Sequence, residues 1–100
     1  MVLIQLLLPQ AKAGQSLDDQ FRMTRAELVQ KFQGLTAYQR APALGAWRNP
    51  EGHLERDDVV MVEVVTERFD KPWWRSYQQV LAERFEQREI HIRALAIDVP

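Results

Sequence analysis

Cysteine is absent from this chain of 100 residues, which excludes disulfides, thiolate nucleophiles, cysteine-ligated zinc and iron–sulfur clusters together. A chain without cysteine is most simply placed in the cytoplasm. Histidine occurs only at positions 53 and 91; neither has a second imidazole at ligand spacing, so no metal site and no cofactor is expected. Asp57 and Asp58 are adjacent, and on a strand their carboxylates leave on opposite faces. The glycines stand apart, at 14, 34, 45 and 52, and so build no phosphate-cradling loop. Neither sign of charge dominates: thirteen basic and fourteen acidic residues give a net charge of -1. No long-range field therefore draws in nucleic acid or an anionic membrane. Long apolar runs are also missing. The opening Val2 to Leu8 segment is far too short to span a bilayer, and without a preceding basic residue or a nearby cleavage site it does not read as a leader. It reads as a buried strand.

What is present is an ordinary globular composition, 46% hydrophobic and 27% charged. A chain of this length supplies one core, so residues 1–100 are expected to form one domain. Pro9 ends the first strand by removing a ladder donor. Ser16 followed by Asp19 has the form of a helix start, with Leu17, Phe21, Leu28 and Phe32 at helical spacing, Val29 widening the stripe, and Gly34 placed to stop it. The second strand is expected around Leu44 to Arg48, followed by a hairpin loop at Asn49, Pro50, Glu51 and Gly52. Asp58 to Thr66 holds six apolar residues and, after Asp58, one charge, Glu63, as a central strand does. Asp70 then Pro72 starts a second helix, with Trp73, Tyr77, Val80, Leu81 and Phe85 on its apolar stripe. Glu89 to Val99 alternates, with Ile90, Ile92, Ala94 and Ala96 on one face and His91, Arg93, Leu95 and Ile97 on the other.

This order predicts an α+β, ferredoxin-like βαββαβ sandwich: an antiparallel four-stranded sheet in the order 4-1-3-2 with two helices on one face. Leu3, Leu7, Leu95, Ile97 and part of the third strand then form an apolar patch on the other face, larger than a soluble monomer usually exposes. A face-to-face homodimer covers it, in the manner of a dimeric α+β barrel. RNA-binding modules of similar fold stack bases on aromatics of the first and third strands; here those strands have none.

The candidate catalytic residues are His91, Arg93 and Glu63. With Gln5 they come within cross-strand reach on the helix-free face and bring together an acid, a base and a cation. Mutual satisfaction of these polar groups at a wet dimer interface is the favoured account of them, because buried polar residues generally pair. His53 lies in a turn and reads as solvated. Gln5, Trp47 and Trp74 are candidate ligand contacts; Trp73 and Tyr77 are assigned to the core, which leaves Trp74 facing elsewhere, over a dimer seam or a pocket rim.

From Phe32 to Ile92 the chain resembles a family of small bacterial proteins known as a domain of unknown function. The likeness is carried by Phe32, Gly34, Leu35 and Thr36, by Gly45, Ala46 and Trp47, by Gly52, Glu55 and Arg56, and by Tyr77, Phe85, Gln87 and Ile90. It implies a ferredoxin-like fold and no assigned activity. Asp57 and Asp58 depart from the family pattern, which has a serine there. Two functions follow as expectations: a cytoplasmic homodimeric binding or interaction module for a small organic ligand, or a cofactor-free enzyme of the dimeric α+β barrel type, performing proton transfer or oxygenation on a small substrate.

Overall fold

The computed structural model describes residues 1–32, 36–41, 46–48, 54–56 and 59–100, with the three strands between 36 and 56 described as backbone. The fold is mixed α+β. Strand β1 (Val2–Pro9) alternates buried and half-buried positions, because its side chains leave on opposite faces and only one face meets helices. Two further short strands, β2 (Ala11–Lys12) and β3 (Gln15–Ser16), form a hairpin of their own. Helix α1 (Asp18–Phe32), then strands β4 (Thr36–Ala41), β5 (Ala46–Arg48), β6 (Leu54–Arg56) and β7 (Val59–Thr66), helix α2 (Lys71–Arg84) and strand β8 (His91–Ala96) complete the chain.

Strand β1 is flanked by antiparallel partners on both sides, β7 with Leu6 opposite Val62 and β8 with Gln5 opposite Arg93. The β4 backbone runs antiparallel along the far edge of β7. This corrects the expected second strand: the segment beside β7 is Thr36–Ala41, whereas Ala46–Arg48 pairs with Leu54–Arg56 in a separate ribbon. Proline cannot donate to a ladder, and Pro42 follows directly after β4. The expected helix stop at Gly34, the loop at 49–52 and His53 lie outside the described residues.

Both helices pack on one face, where Ile4, Leu6, Leu8, Val60, Val62 and Val64 are buried. From α1, Phe21, Thr24 and Leu28 enter the core, and Leu17 joins them from just before the helix. Val29 does not widen the stripe; it is 38% exposed. Its place is taken by Thr24, whose hydroxyl donates to the Gln20 carbonyl at 2.8 Å and so enters the core satisfied. The start of α1 is held by Ser16 Oγ, which accepts the Asp18 N–H at 3.2 Å. In α2 the Asp70 carboxylate accepts the Trp73 N–H at 3.3 Å, with Pro72 in the first turn. The buried stripe of α2 is Trp74, Tyr77 and Leu81, continued by Phe85 at its cap. The two indoles therefore exchange the roles expected of them. Trp74 is 3% exposed in the core, while the partly buried Trp73 packs against that core, and Val80 faces outward.

At the shared end of the helices, Phe32 stacks on Trp74 at 5.5 Å and Trp73 stacks on Tyr77 at 4.8 Å. The Trp73 and Trp74 rings meet nearly edge to face, also at 4.8 Å. Lys31 sets its ammonium over the Trp73 ring at 4.4 Å, a favourable cation–π distance. Farther along, Arg84 forks onto Glu27 at 2.6 and 3.0 Å and also donates to Thr24 Oγ1 at 2.9 Å. The Tyr77 hydroxyl donates to the same Glu27 carboxylate at 2.9 Å. The hydrogen bond from Arg84 holds the Glu27 carboxyl below its ordinary range and raises the guanidinium in turn. Burial, reinforced by Glu27, pushes the Tyr77 phenol up. Four side chains thus lock α1 to α2.

Two non-glycine residues take left-handed backbone, Ala13 (φ 51) and Glu86 (φ 53). Ala13 and Gly14 (φ 78) form the two-residue turn between β2 and β3, where positive φ at both positions suits the right-handed twist of a hairpin. Glu86 follows the cap of α2; its N–H donates to the Glu83 carbonyl at 3.2 Å and the Gln87 N–H to the Ala82 carbonyl at 2.8 Å. That bonding is a Schellman motif, whose left-handed position favours glycine. Lys12, in the first hairpin, donates to the Glu86 carbonyl. Glu86→Gly is expected to raise stability by about 1 kcal/mol, and Ala13→Asn, which restores the favoured Asn-Gly turn, by about 0.5–1 kcal/mol. Thermal melts check both; a lower melting temperature for either variant contradicts the backbone assignment.

Candidate functional site

The helix-free face of the sheet is organised in rows across the strands. One row is apolar: Leu3 of β1 lies between Val65 of β7 and Leu95 of β8. Leu95 is 44% exposed. Four positions along β1, Leu7 lies between Met61 and His91. Between these rows runs a polar one, in which Gln5 is flanked by Glu63 and Arg93.

The polar row is bonded end to end. Arg93 Nε donates to Gln5 Oε1 at 2.6 Å, and Gln5 Nε2 donates to Glu63 Oε2 at 2.9 Å. An amide can be bonded this way round only with its oxygen toward the cation and its nitrogen toward the carboxylate, so the neighbours fix the orientation of Gln5. Among the described residues, the terminal guanidinium nitrogens of Arg93 and Glu63 Oε1 have no further partner. The row is a cation, a neutral bridge and an anion, with unused capacity at both ends.

The structure therefore brings together three of the residues singled out from sequence, Gln5, Glu63 and Arg93. His91 shares their face but lies one row away, opposite Leu7. It is exposed and makes no side-chain hydrogen bond among the described residues. Trp47 sits in β5, and its side chain lies outside the described residues. Trp74 does not cover a seam: it is core, on the opposite side of the sheet from this row. The order of the indoles is set by the anchor at Tyr77, because positions 74, 77 and 81 share a helix face that position 73 only borders.

Trp74 does border a second feature, a cleft of ≈ 150 Å³ between α2 and β8. It is lined by Phe69, Lys71, Trp74, Arg75, Gln78 and Ile92, with no acid among them. Gln78 is anchored, donating to the Ile90 carbonyl at 2.6 Å. Lys71 and Arg75 have no ion-pair or hydrogen-bond partner among the described residues. Neither Lys71 nor Arg75 is among the residues singled out from the sequence. The available signal was their spacing, since like charges four apart on a helix repel.

Among the described residues no three or more His, Cys, Asp or Glu side chains are placed to hold a metal ion. No helix among them is long and apolar enough to cross a membrane. No family model, curated protein or solved structure matches this chain.

Proposed function

We propose that the chain is a ferredoxin-like binding module that acts as a face-to-face homodimer, of the dimeric α+β barrel kind, and holds a small organic ligand between sheet and helices. The observation that carries the homodimer is the bonded row Arg93–Gln5–Glu63, framed by the Leu3 and Leu7 rows on a face with no helix. A twofold axis running along β1 lays the cationic end of one row over the anionic end of the other. Each Arg93 then meets the partner's Glu63, and the leucine rows meet leucine rows. An axis across the strands instead superposes like charges, which costs several kcal/mol and selects against that arrangement. Self-complementarity under a twofold axis is what a homodimer face requires.

The likeness to the family of small bacterial proteins and a cytoplasmic location belong to the same proposal, the second supported by the absence of cysteine. The geometry favours binding over catalysis at this face. Arg93 and Glu63 are both bonded to Gln5, and His91 stands exposed outside the row, whereas a general base must reach the proton it removes.

Light scattering on the purified protein tests the assembly directly. The expected mass is twice the protomer's 11.7 kDa at micromolar concentration; the mass of one protomer overturns the dimer.

A further inference from the structure

We propose that the cleft between α2 and β8 is a binding site for a small organic carboxylate with a flat apolar body. Four observations converge on it. Its floor is apolar and largely aromatic: Phe69, Trp74 and Ile92. Two cations, Lys71 and Arg75, stand on its rim without partners among the described residues. They sit four apart on one helix, where like charges repel, and an anion between them relieves that repulsion. Finally, Trp74 is 3% exposed, yet its indole N–H has no acceptor among the described residues. A buried donor left unpaired is costly, and a carboxylate oxygen entering the cleft is an acceptor of the right kind.

Size sets the ligand class. A cavity of ≈ 150 Å³ admits one six-membered ring and little more, since dry cavities of that order accept benzene. Sites that enclose larger cofactors run to several hundred Å³, so a single ring is the body this cleft suits. The carboxylate lies between the Lys71 and Arg75 rim and the Trp74 indole N–H, and the ring rests against Phe69 and Ile92. Arg75 supplies the planar fork that matches a carboxylate, and Lys71 adds a point charge. This site deepens the reading of the chain as a ligand-binding module and rests on it. It lies on the helix side of the sheet, so it does not depend on the dimer.

The test is a titration of the full-length protein with benzoate, followed by amide and indole NMR, with the Trp74 indole signal assigned by its loss in Trp74→Phe. Benzamide, neutral and nearly the same shape, serves as the control. Benzoate is expected to shift the Trp74 indole and Ile92 amide signals saturably at about millimolar concentration, as suits so small a ligand. Benzamide should bind about tenfold more weakly or worse, and Lys71→Gln combined with Arg75→Gln should weaken benzoate by at least about tenfold. Both substituted residues are exposed, so the double variant folds. No saturable shift, equal binding of benzoate and benzamide, or undiminished binding by the double variant each overturns the site. Light scattering on the same sample separates the two proposals: a dimer that ignores benzoate loses only the cleft, and a monomer that binds it loses only the dimer.

Discussion

Glu27→Ala is expected to lower the stability of the fold by about 2 kcal/mol, which at this chain length moves the melting temperature down by about 10 °C. The carboxylate accepts from both Arg84 and Tyr77, so its removal leaves a guanidinium and a phenol on the helix seam with too few acceptors. The loss is smaller than for a fully enclosed pair, because the Glu27 side chain is 44% exposed and water reaches it. Arg84→Met in the same chain should recover part of the loss, since replacing both partners removes the orphaned charge. Acid acts in the same direction as the single substitution. Glu27 is held below its ordinary value of 4.5 in the folded state, so its contribution is present above that pH and fades as pH falls through the lower, folded value. At the alkaline end the sign reverses. The folded Tyr77 phenol keeps its proton above 10.0, where the unfolded one loses it, so stability declines as pH rises past that point. Melting curves for the variants and across pH check all of this; a loss under about 0.5 kcal/mol for Glu27→Ala shows that the network contributes nothing.

The second large effect concerns assembly. If the proposed homodimer forms through the helix-free face, Leu95→Glu is expected to weaken it by about a hundredfold, by placing an unpaired carboxylate into an apolar row of that face. Leu95 is already 44% exposed in one protomer, so the fold itself should change by less than about 0.5 kcal/mol. Arg93→Glu should also separate the subunits, since it turns the polar row into two anions about a bridge. Exchanging both ends, Arg93→Glu with Glu63→Arg, keeps one cation and one anion and should restore the pair. Sedimentation equilibrium across a concentration series reads the change. If Leu95→Glu leaves the dimer intact, the contact lies on a different face.

Much of the sheet was legible because strand periodicity is unambiguous where one face is buried. Alternation along Glu89 to Val99 placed Arg93 and His91 on the helix-free face, and β1 and β7 did the same for Gln5 and Glu63. The polar row could therefore be anticipated, but which of His91 and Arg93 stands opposite Gln5 could not, since that depends on a two-residue choice of register. The indoles failed for a different reason. Neighbouring aromatics differ by only about 100° around a helix, and a stripe drawn through Trp73 is as regular as one through Trp74 until packing chooses. Thr24 was invisible because its hydroxyl is satisfied within its own turn, which removes the penalty that polarity implies. The link from Glu27 to Arg84 spans 57 positions, beyond the reach of any local pattern. The β4 segment was misplaced because Leu35 to Ala41 mixes residue types and Pro42 drew attention past its end.

The crowding of Phe32, Trp73, Trp74 and Tyr77 has an optical consequence. Aromatic rings at these separations and angles couple their electronic transitions, so the circular dichroism of the protein should carry an exciton band superimposed on the helical minima. Phe32 belongs to α1 and the other three to α2, so the part of that band that depends on Phe32 against Trp73 and Trp74 works as a built-in gauge of whether the two helices are closed on each other. It should collapse before the backbone unwinds if tertiary packing is lost first.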